Sequence, residues 1–253
     1  MTLLKLPGSR FGCFFCFLIC VKIKGMKKNA VFVIALGGSV IMPGKINTRL
    51  LRNFRKLILK QRKLGRRFII IAGGGKLARF YQAAASKIIR LDYDDMDWLG
   101  IHSTRLNAHL LRTIFRDQAE PAVIDEEDRP VKFNGKVIIA SGWRPGWSTD
   151  YIAVRLAKKI GAKSVIIAGR PAFVYTKDHQ KYKDAKPIKN ISWRDYRKLI
   201  GSRWIPGLSA PVDPIGAKAA DKWGIRAIIV KGTNLKNLEN LLNGKKFIGT
   251  IIS

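Results

Sequence analysis

The sequence predicts an α/β fold built on a mostly parallel sheet. Three observations carry this. Continuous apolar runs, suited to strands buried on both faces, alternate with segments whose apolar residues recur at helical spacing. Several of those runs end in a glycine-rich turn. The 253 residues, 47% of them hydrophobic, suffice for one large or two small domains with a sizeable core. Right-handed connections place helices on both faces of the sheet and ligands beyond the carboxyl ends of its strands.

The chain opens with an apolar run from Phe11 to Ile23, flanked by Lys5, Arg10, Lys22 and Lys24. It is shorter than a typical spanning helix and lacks a small-residue cleavage pattern after it. We read residues 1–25 as an N-terminal extension, with translation starting at Met26; the alternative is a short interfacial anchor. Cys13, Cys16 and Cys20 are the only cysteines. An odd number in one stretch is no disulfide framework, and no second Cys or His pair accompanies Cys13 and Cys16 to make a zinc site. His102, His109 and His179 are scattered, which suits packing or surface roles.

Val31 to Leu36 is the first strand, closed by Gly37-Gly38-Ser39. Asn47 or Thr48 caps a helix with apolar positions at Leu50, Leu51, Phe54, Leu57, Ile58 and Leu64. Its other positions are rich in Arg and Lys, a solvated basic face or a nucleic-acid surface, and Gly65 stops it. Phe68 to Ala72 is the second strand. It runs into Gly73-Gly74-Gly75-Lys76-Leu77-Ala78-Arg79 and a helix through Ala85. Strand, glycine turn and helix start bring backbone N–H groups and the positive end of a helix dipole to one point, a candidate phosphate cradle.

The acidic cluster Asp92, Asp94, Asp95 and Asp97 precedes a helix over Leu99 to Leu111. It reads as a solvated helix entrance or a metal site, with Asp97 as a candidate acceptor for a ligand hydroxyl. Ala122 to Ile124 is a short strand and Val137 to Ala140 a buried one. The latter leads into Ser141-Gly142-Trp143-Arg144-Pro145-Gly146-Trp147-Ser148-Thr149-Asp150 and a helix from Tyr151 to Ile160. Lys163 to Ala168 is the next strand, with a loop over Gly169 to Asp178. Lys181 to Lys189 is polar. Ser192 and Asp195 mark a capped helix start. Pro206 to Pro214 is a loop, Ile215 to Trp223 a helix, Ala227 to Val230 a strand, Leu235 to Leu242 a helix, and Lys246 to Ile252 a closing strand.

The formal charge of +31 points to an anionic partner (nucleotides, nucleic acid or a charged membrane surface), or to a solvated surface in a strongly basic proteome. Four glycine-rich turns, Gly37–Ser39, Gly73–Gly75, Gly142–Thr149 and Gly169–Tyr175, fall on one rim of the sheet. That density fits a site for more than one phosphorylated ligand. No P-loop motif is present.

Leu36-Gly37-Gly38-Ser39-Val40, Ala72-Gly73-Gly74-Gly75-Lys76-Leu77-Ala78-Arg79, Gly100-Ile101-x-x-Thr104-Arg105-Leu106-Asn107-Ala108 and Pro145-Gly146-x-x-Thr149-Asp150 resemble the amino acid kinase superfamily, and within it the UMP kinases of the archaeal-like type. Val174-Tyr175-Thr176-Lys177-Asp178 and Val212-Asp213-Pro214-Ile215-Gly216-Ala217-Lys218 fit the same family. The resemblance runs from about Val31 to Ser253. It implies a three-layer αβα sandwich over residues 26–253, with an acceptor-binding N-terminal half and an ATP-binding C-terminal half. The implied reaction is transfer of a phosphoryl group from ATP to UMP, with magnesium, in pyrimidine biosynthesis. The implied protein is a cytoplasmic homo-oligomer, typically a hexamer, without stable membrane insertion or a specific nucleic-acid partner.

Carried over by motif position, Gly74, Asp97 and the segment Trp143, Arg144, Pro145, Gly146, Trp147, Ser148 and Thr149 would contact UMP. Gly38, Ser39, Gly75 and Arg79 would face the ATP phosphates. Of these, Arg79, Gly38 and Ser39 would serve the transfer itself. Gly169, Arg170, Tyr175 and Asp178 would hold the ATP base and ribose. No residue is assigned to a metal. The chain departs from the family at Arg170-Pro171-Ala172-Phe173, where an Asn, an Asp and a Gly are usual, and at Ala35, where many members carry a lysine. Pro171 stiffens that loop, and Phe173 is ill suited to a positive φ. Arg170 is expected to add positive charge on the donor side. Trp143 and Trp147 stand where smaller or imidazole side chains are common and could stack on a base or pack at a subunit contact. The competing readings are another superfamily kinase, a nucleotide-binding regulator with impaired transfer, and a basic nucleic-acid-binding protein.

Overall fold

The protein is described from a computed structural model covering the backbone of Cys20–Val21 and residues 30–201 and 210–253. The expected extension over residues 1–25 therefore lies largely outside the described residues, as do residues 206–209 of the expected loop. The strands are β1 (Cys20–Val21), β2 (Val31–Leu36), β3 (Arg67–Ala72), β4 (Ile138–Ala140), β5 (Ser164–Gly169), β6 (Val174–Tyr175), β7 (Pro187–Ile188), β8 (Asn190–Ile191), β9 (Arg226–Lys231), β10 (Phe247–Ile248) and β11 (Thr250–Ile252). The helices are α1 (Gly38–Ile41), α2 (Thr48–Arg62), α3 (Gly75–Ala85), α4 (Tyr93–Phe115), α5 (Thr149–Lys159), α6 (Trp193–Ile200), α7 (Pro214–Lys222) and α8 (Leu235–Leu242).

Seven strands form the central sheet in the order β4-β3-β2-β5-β9-β11-β8. The first five are mutually parallel, β11 runs antiparallel to β9, and β8 runs parallel to β11. Side chains alternate between the faces, as the two-residue period of a strand requires. Phe32, Ile34, Leu36, Phe68 and Ile70 pack on one side with Phe54 and Ile58 of α2, Leu111 and Phe115 of α4, and Leu238 and Leu241 of α8. Val33, Ala35, Ile69 and Ile71 pack on the other with Ile152 and Leu156 of α5, Trp193 and Tyr196 of α6, and Ala217 and Ala220 of α7. Three layers result because both faces of an apolar parallel sheet must be covered, each buried Ile or Phe contributing about 1.5–3 kcal/mol.

Helix starts follow their caps. Asn47, Ser148, Ser192 and Asp213 each accept backbone N–H bonds at the starts of α2, α5, α6 and α7. Several expectations needed revision. Helix α4 begins at Tyr93, six residues earlier than expected, with Asp92 as its cap, so Asp94, Asp95 and Asp97 belong to its first turns. Carboxylates are stabilised there by the helix dipole, which extends the helix through the acidic cluster. Ala122–Ile124 forms no strand; Ile124 makes only an isolated bridge to Ala140. The closing strand breaks at Gly249, where a Cβ would lie 2.3 Å from the Ile229 carbonyl oxygen. No helix among the described residues is long and apolar enough to cross a membrane.

Candidate active site

Strands β2 and β3 pair in parallel register from Val31 with Arg67 to Leu36 with Ala72, so their glycine turns emerge side by side. Gly37 N–H donates to the Ala168 carbonyl at 3.0 Å, and Gly73 N–H donates to the Leu36 carbonyl at 2.9 Å. The two turns then cross backbone to backbone. A Cβ on Gly38 would lie 2.1 Å from Gly75 N, 2.4 Å from Gly74 C and 2.6 Å from Gly73 O. Gly75 adds a positive φ of 66°. Glycine is therefore demanded by this crossing itself, in addition to any approach of a phosphate.

Above the crossing lies a cleft of about 830 Å³. It brings together Gly38, Ser39, Gly74, Gly75, Arg79, Asp97, Trp147, Ser148, Thr149, Gly169, Arg170, Tyr175 and Asp178. These come from both the expected acceptor and the expected donor segments. Arg79 and Arg170 are exposed within it. Trp143, Arg144, Pro145 and Gly146 do not line this cleft. Trp143 is 6% exposed in the core, where its indole N–H donates to the Ile124 carbonyl at 3.2 Å. The Arg144 guanidinium lies over the Trp147 ring at 3.8 Å. Gly146, at φ 77°, donates its N–H to Asp97 Oδ2 at 2.6 Å. Asp97 thus holds the loop over residues 143–149 through its main chain.

Helix α4 explains the Gly100…Ala108 motif. Asn107 Nδ2 donates to the Gly73 carbonyl at 2.8 Å and to the Gly74 carbonyl at 3.3 Å. Thr104 Oγ1 accepts the Gly142 N–H at 2.6 Å and donates to the Ile101 carbonyl at 2.6 Å. Arg105 Nη2 donates to the Asp125 carbonyl at 3.2 Å. A Cβ on Gly142 would lie 2.8 Å from Thr104 Oγ1. One helix face therefore fastens the β3 turn and the root of the loop after β4 together. The i, i+3 spacing of Thr104 and Asn107 was the available signal, since it puts both on one face.

In the loop after β5, Tyr175 stacks on His179, with ring centroids 4.2 Å apart and an interplanar angle of 14°. Phe173 meets Tyr175 edge-on at 6.1 Å. His179 lines the cleft, a role its sequence context did not mark. The Arg170–Phe173 loop avoids the strain its composition threatened. Among the described residues Arg116 is the only non-glycine with positive φ.

Asp150 and Asp213 also line the cleft. Burial raises the Asp150 carboxyl well above its ordinary range, and the neighbouring Asp213 charge adds to this. Burial raises Asp213 as well, against the pull of its hydrogen bonds from Ser148 and the N–H groups of Gly216 and Ile215. Those N–H groups lie at 3.0 and 2.8 Å from Oδ1, and Ser148 Oγ donates to Oδ2. Asp213 is legible as a helix cap before Pro214. Its position against Ser148 depends on the packing of α5 on α7, which joins residues 65 apart.

A parallel sheet whose paired glycine turns underlie a cleft of about 830 Å³ carrying Arg79 and Arg170 is the frame of a phosphotransferase. The amino acid kinase family model matches residues 30–231, and the chain belongs to that family. Uridylate kinase from Methanocaldococcus jannaschii is 34% identical over 226 residues, spanning 87% of this chain and 98% of the relative. Uridylate kinase from Methanococcus maripaludis (strain C5) is 32% identical over 204 residues, spanning 79% and 90%. The crystal structure of uridylate kinase from Archaeoglobus fulgidus superposes with a TM-score of 0.71 at 29% identity, covering 88% of this chain and 99% of that one.

Proposed function

We propose that this chain transfers the γ-phosphoryl group of ATP to UMP, giving UDP and ADP. The observation that carries this reading is the meeting of acceptor and donor segments in one cleft across the Gly38–Gly75 crossing. The names of its relatives support the choice of UMP. An oxygen of the UMP phosphate attacks the γ-phosphorus, and the bond from that phosphorus to the bridging oxygen breaks as ADP departs. The attacking oxygen is already anionic near neutral pH, so the chain needs no general base. Its residues align the two phosphates and spread the charge.

Arg79 and the first-turn N–H groups of α3, which have no side-chain cap, supply that charge on the β3 side. Gly38 and Ser39 do so on the β2 side, and losing one such donor typically costs about 3 kcal/mol in the barrier. Gly74, Asp97 and Trp147–Thr149 serve UMP, while Gly169, Arg170, Tyr175 and Asp178 serve ATP. In this reading the base and ribose contacts of ATP fall in the C-terminal half of residues 26–253, while its phosphate contacts at Gly38, Ser39 and Arg79 share the N-terminal half with Gly74 and Asp97 of the UMP side.

The magnesium of this reaction would be held by carboxylates on the cleft wall. No three His, Cys, Asp or Glu residues gather for a metal among the described residues. An ion carried by phosphates needs only one or two carboxylates, which Asp150 and Asp213 provide on the cleft wall. Asp150 fits better, because Asp213 already accepts from Ser148, Ile215 and Gly216. When bound, the ion neutralises phosphate charge.

Phe80, Tyr81, Ile88, Ile89, Trp98 and Leu106 are exposed on α3, α4 and the turn between them. This face suits self-assembly into a homo-oligomer, up to a hexamer, which sedimentation velocity would test. Cytoplasmic location and a place in pyrimidine biosynthesis follow from the proposed substrates. The decisive assay supplies ATP, magnesium and UMP and measures UDP directly, with CMP and GMP as controls. UDP formed selectively from UMP supports the reading. Thermal stabilisation by UMP without product would replace it with a regulatory one.

A further inference from the structure

We infer that Arg155 is a positioning residue for the acceptor loop, acting through Trp147 and paired with Glu127. Arg155 sits on α5 and does not line the cleft, whereas Trp147 does. Its guanidinium lies 4.8 Å from the Trp147 ring centroid, 5.7 Å from that of Tyr151 and 6.0 Å from that of Trp223. Nη1 donates to Tyr151 Oη at 3.1 Å, and Nη2 forms an ion pair with Glu127. Tyr151 meets Trp147 edge-on at 4.9 Å and 87°. One planar fork therefore ties together the acceptor loop, the first turn of α5, the loop carrying Glu127 and the end of α7.

Two features make this more than surface packing. The fork holds its partners in a planar geometry that a lysine ammonium, a point charge, cannot reproduce. Its partners also converge on Trp147, a side chain of the acceptor loop that lines the cleft. On the opposite flank, Asp97 holds the same loop at Gly146. The loop is thus held at Gly146 from α4 and at Trp147 from α5, with Arg144 of the loop itself also over the Trp147 ring at 3.8 Å. Removing the hold from α5 lets the indole and loop sample positions that UMP must then select, so the cost falls on acceptor affinity.

This rests on the reading of Trp147 as part of the UMP side. The test uses full-length protein with Arg155→Met, which keeps the apolar stem, and Arg155→Lys, which keeps the charge. Expected for both is a rise in KM for UMP of about tenfold, the size of a lost cation–π contact and hydrogen bond together. The KM for ATP and kcat stay within a factor of two or so, since the donor side is untouched. Glu127→Gln gives a smaller rise, and combining it with Arg155→Met adds little, because the two act as one unit.

A readout independent of substrate is acrylamide quenching of the Trp147 fluorescence, taken as the difference between each protein and its Trp147→Phe partner. Quenching rises in both Arg155 variants. An unchanged KM for UMP, equal losses toward UMP and ATP, or unchanged Trp147 quenching would overturn the inference. If the wild type forms no UDP, the proposed substrate fails, and quenching alone decides whether Arg155 holds Trp147.

Discussion

Replacing Gly38 by Ala tests the crossing on which the site is built. The added methyl would stand 2.1 Å from Gly75 N and 2.4 Å from Gly74 C. Ordinary contact begins near 3.4 Å, so one turn would have to retreat by about 1 Å. Every atom it meets is main chain, and the turns are fastened at Gly37 and Gly73 by ladder-end hydrogen bonds of 3.0 and 2.9 Å. A side chain could swing aside, but these atoms cannot move alone. Overpacking of this kind costs about 1–3 kcal/mol, with this contact toward the upper end. For a domain of this size each kcal/mol lowers Tm by about 2–4 °C, so a fall of roughly 6–10 °C is expected. A displacement of about 1 Å between reacting groups also lowers turnover by about a hundredfold. Gly44→Ala is the control, since a Cβ there meets only Lys76 Nζ at 3.9 Å. Differential scanning fluorimetry and a UDP-release assay measure both quantities. A Gly38→Ala protein with the Tm and kcat of the Gly44→Ala control would refute the reasoning.

Three further outcomes are expected. Thr104→Val leaves the Gly142 N–H unpaired in the core and should cost about 1–3 kcal/mol in urea unfolding, with KM for UMP rising as the loop root loosens. Asp97→Ala removes the acceptor held by Gly146 and should raise KM for UMP about tenfold while leaving KM for ATP unchanged in steady-state assays. For Asp150 the sign runs against folding. Its pKa is raised in the folded chain, so the folded state holds more protons than the unfolded one from about its ordinary value of 3.8 upward. Its contribution to stability therefore falls as pH rises through that window, up to the raised pKa. Thermal melts of Asp150→Asn from about pH 4 upward should show a flatter slope than wild type.

Much of the architecture was legible because parallel strands buried on both faces leave an unambiguous trace. Val31–Leu36 and Phe68–Ala72 are runs without polar interruption, and Gly37 and Gly73 end them where the ladders end. The capped starts at Asn47 or Thr48 and at Ser192 were equally readable, because capping chemistry is local, and the structure chooses Asn47. The start of α4 was not, since acidic residues suit both a loop and a first turn. Nor was the break at Gly249, which answers a carbonyl on a strand about twenty residues earlier in the chain. At the site, the glycine turns and hydroxyl-bearing helix start were visible as motifs. The roles of Trp143 and Trp147 were not separable, since both are apolar aromatics in one loop and only burial assigns one to the core.

By itself the sequence determined the alternation of strand and helix, the three layers and the rim on which the glycine-rich turns gather. All of these follow from side-chain periodicity and local turn chemistry, which act over a few residues. Only the tertiary structure decided which glycines must be glycine, because that depends on backbone atoms of a different turn. It alone brought Asp150 against Asp213, placed Asn107 and Thr104 beneath the two loops, stacked His179 on Tyr175 and set Arg155 behind Trp147. Those contacts join segments whose spacing along the chain carries no signal, and they exist only once the helices have packed on the sheet.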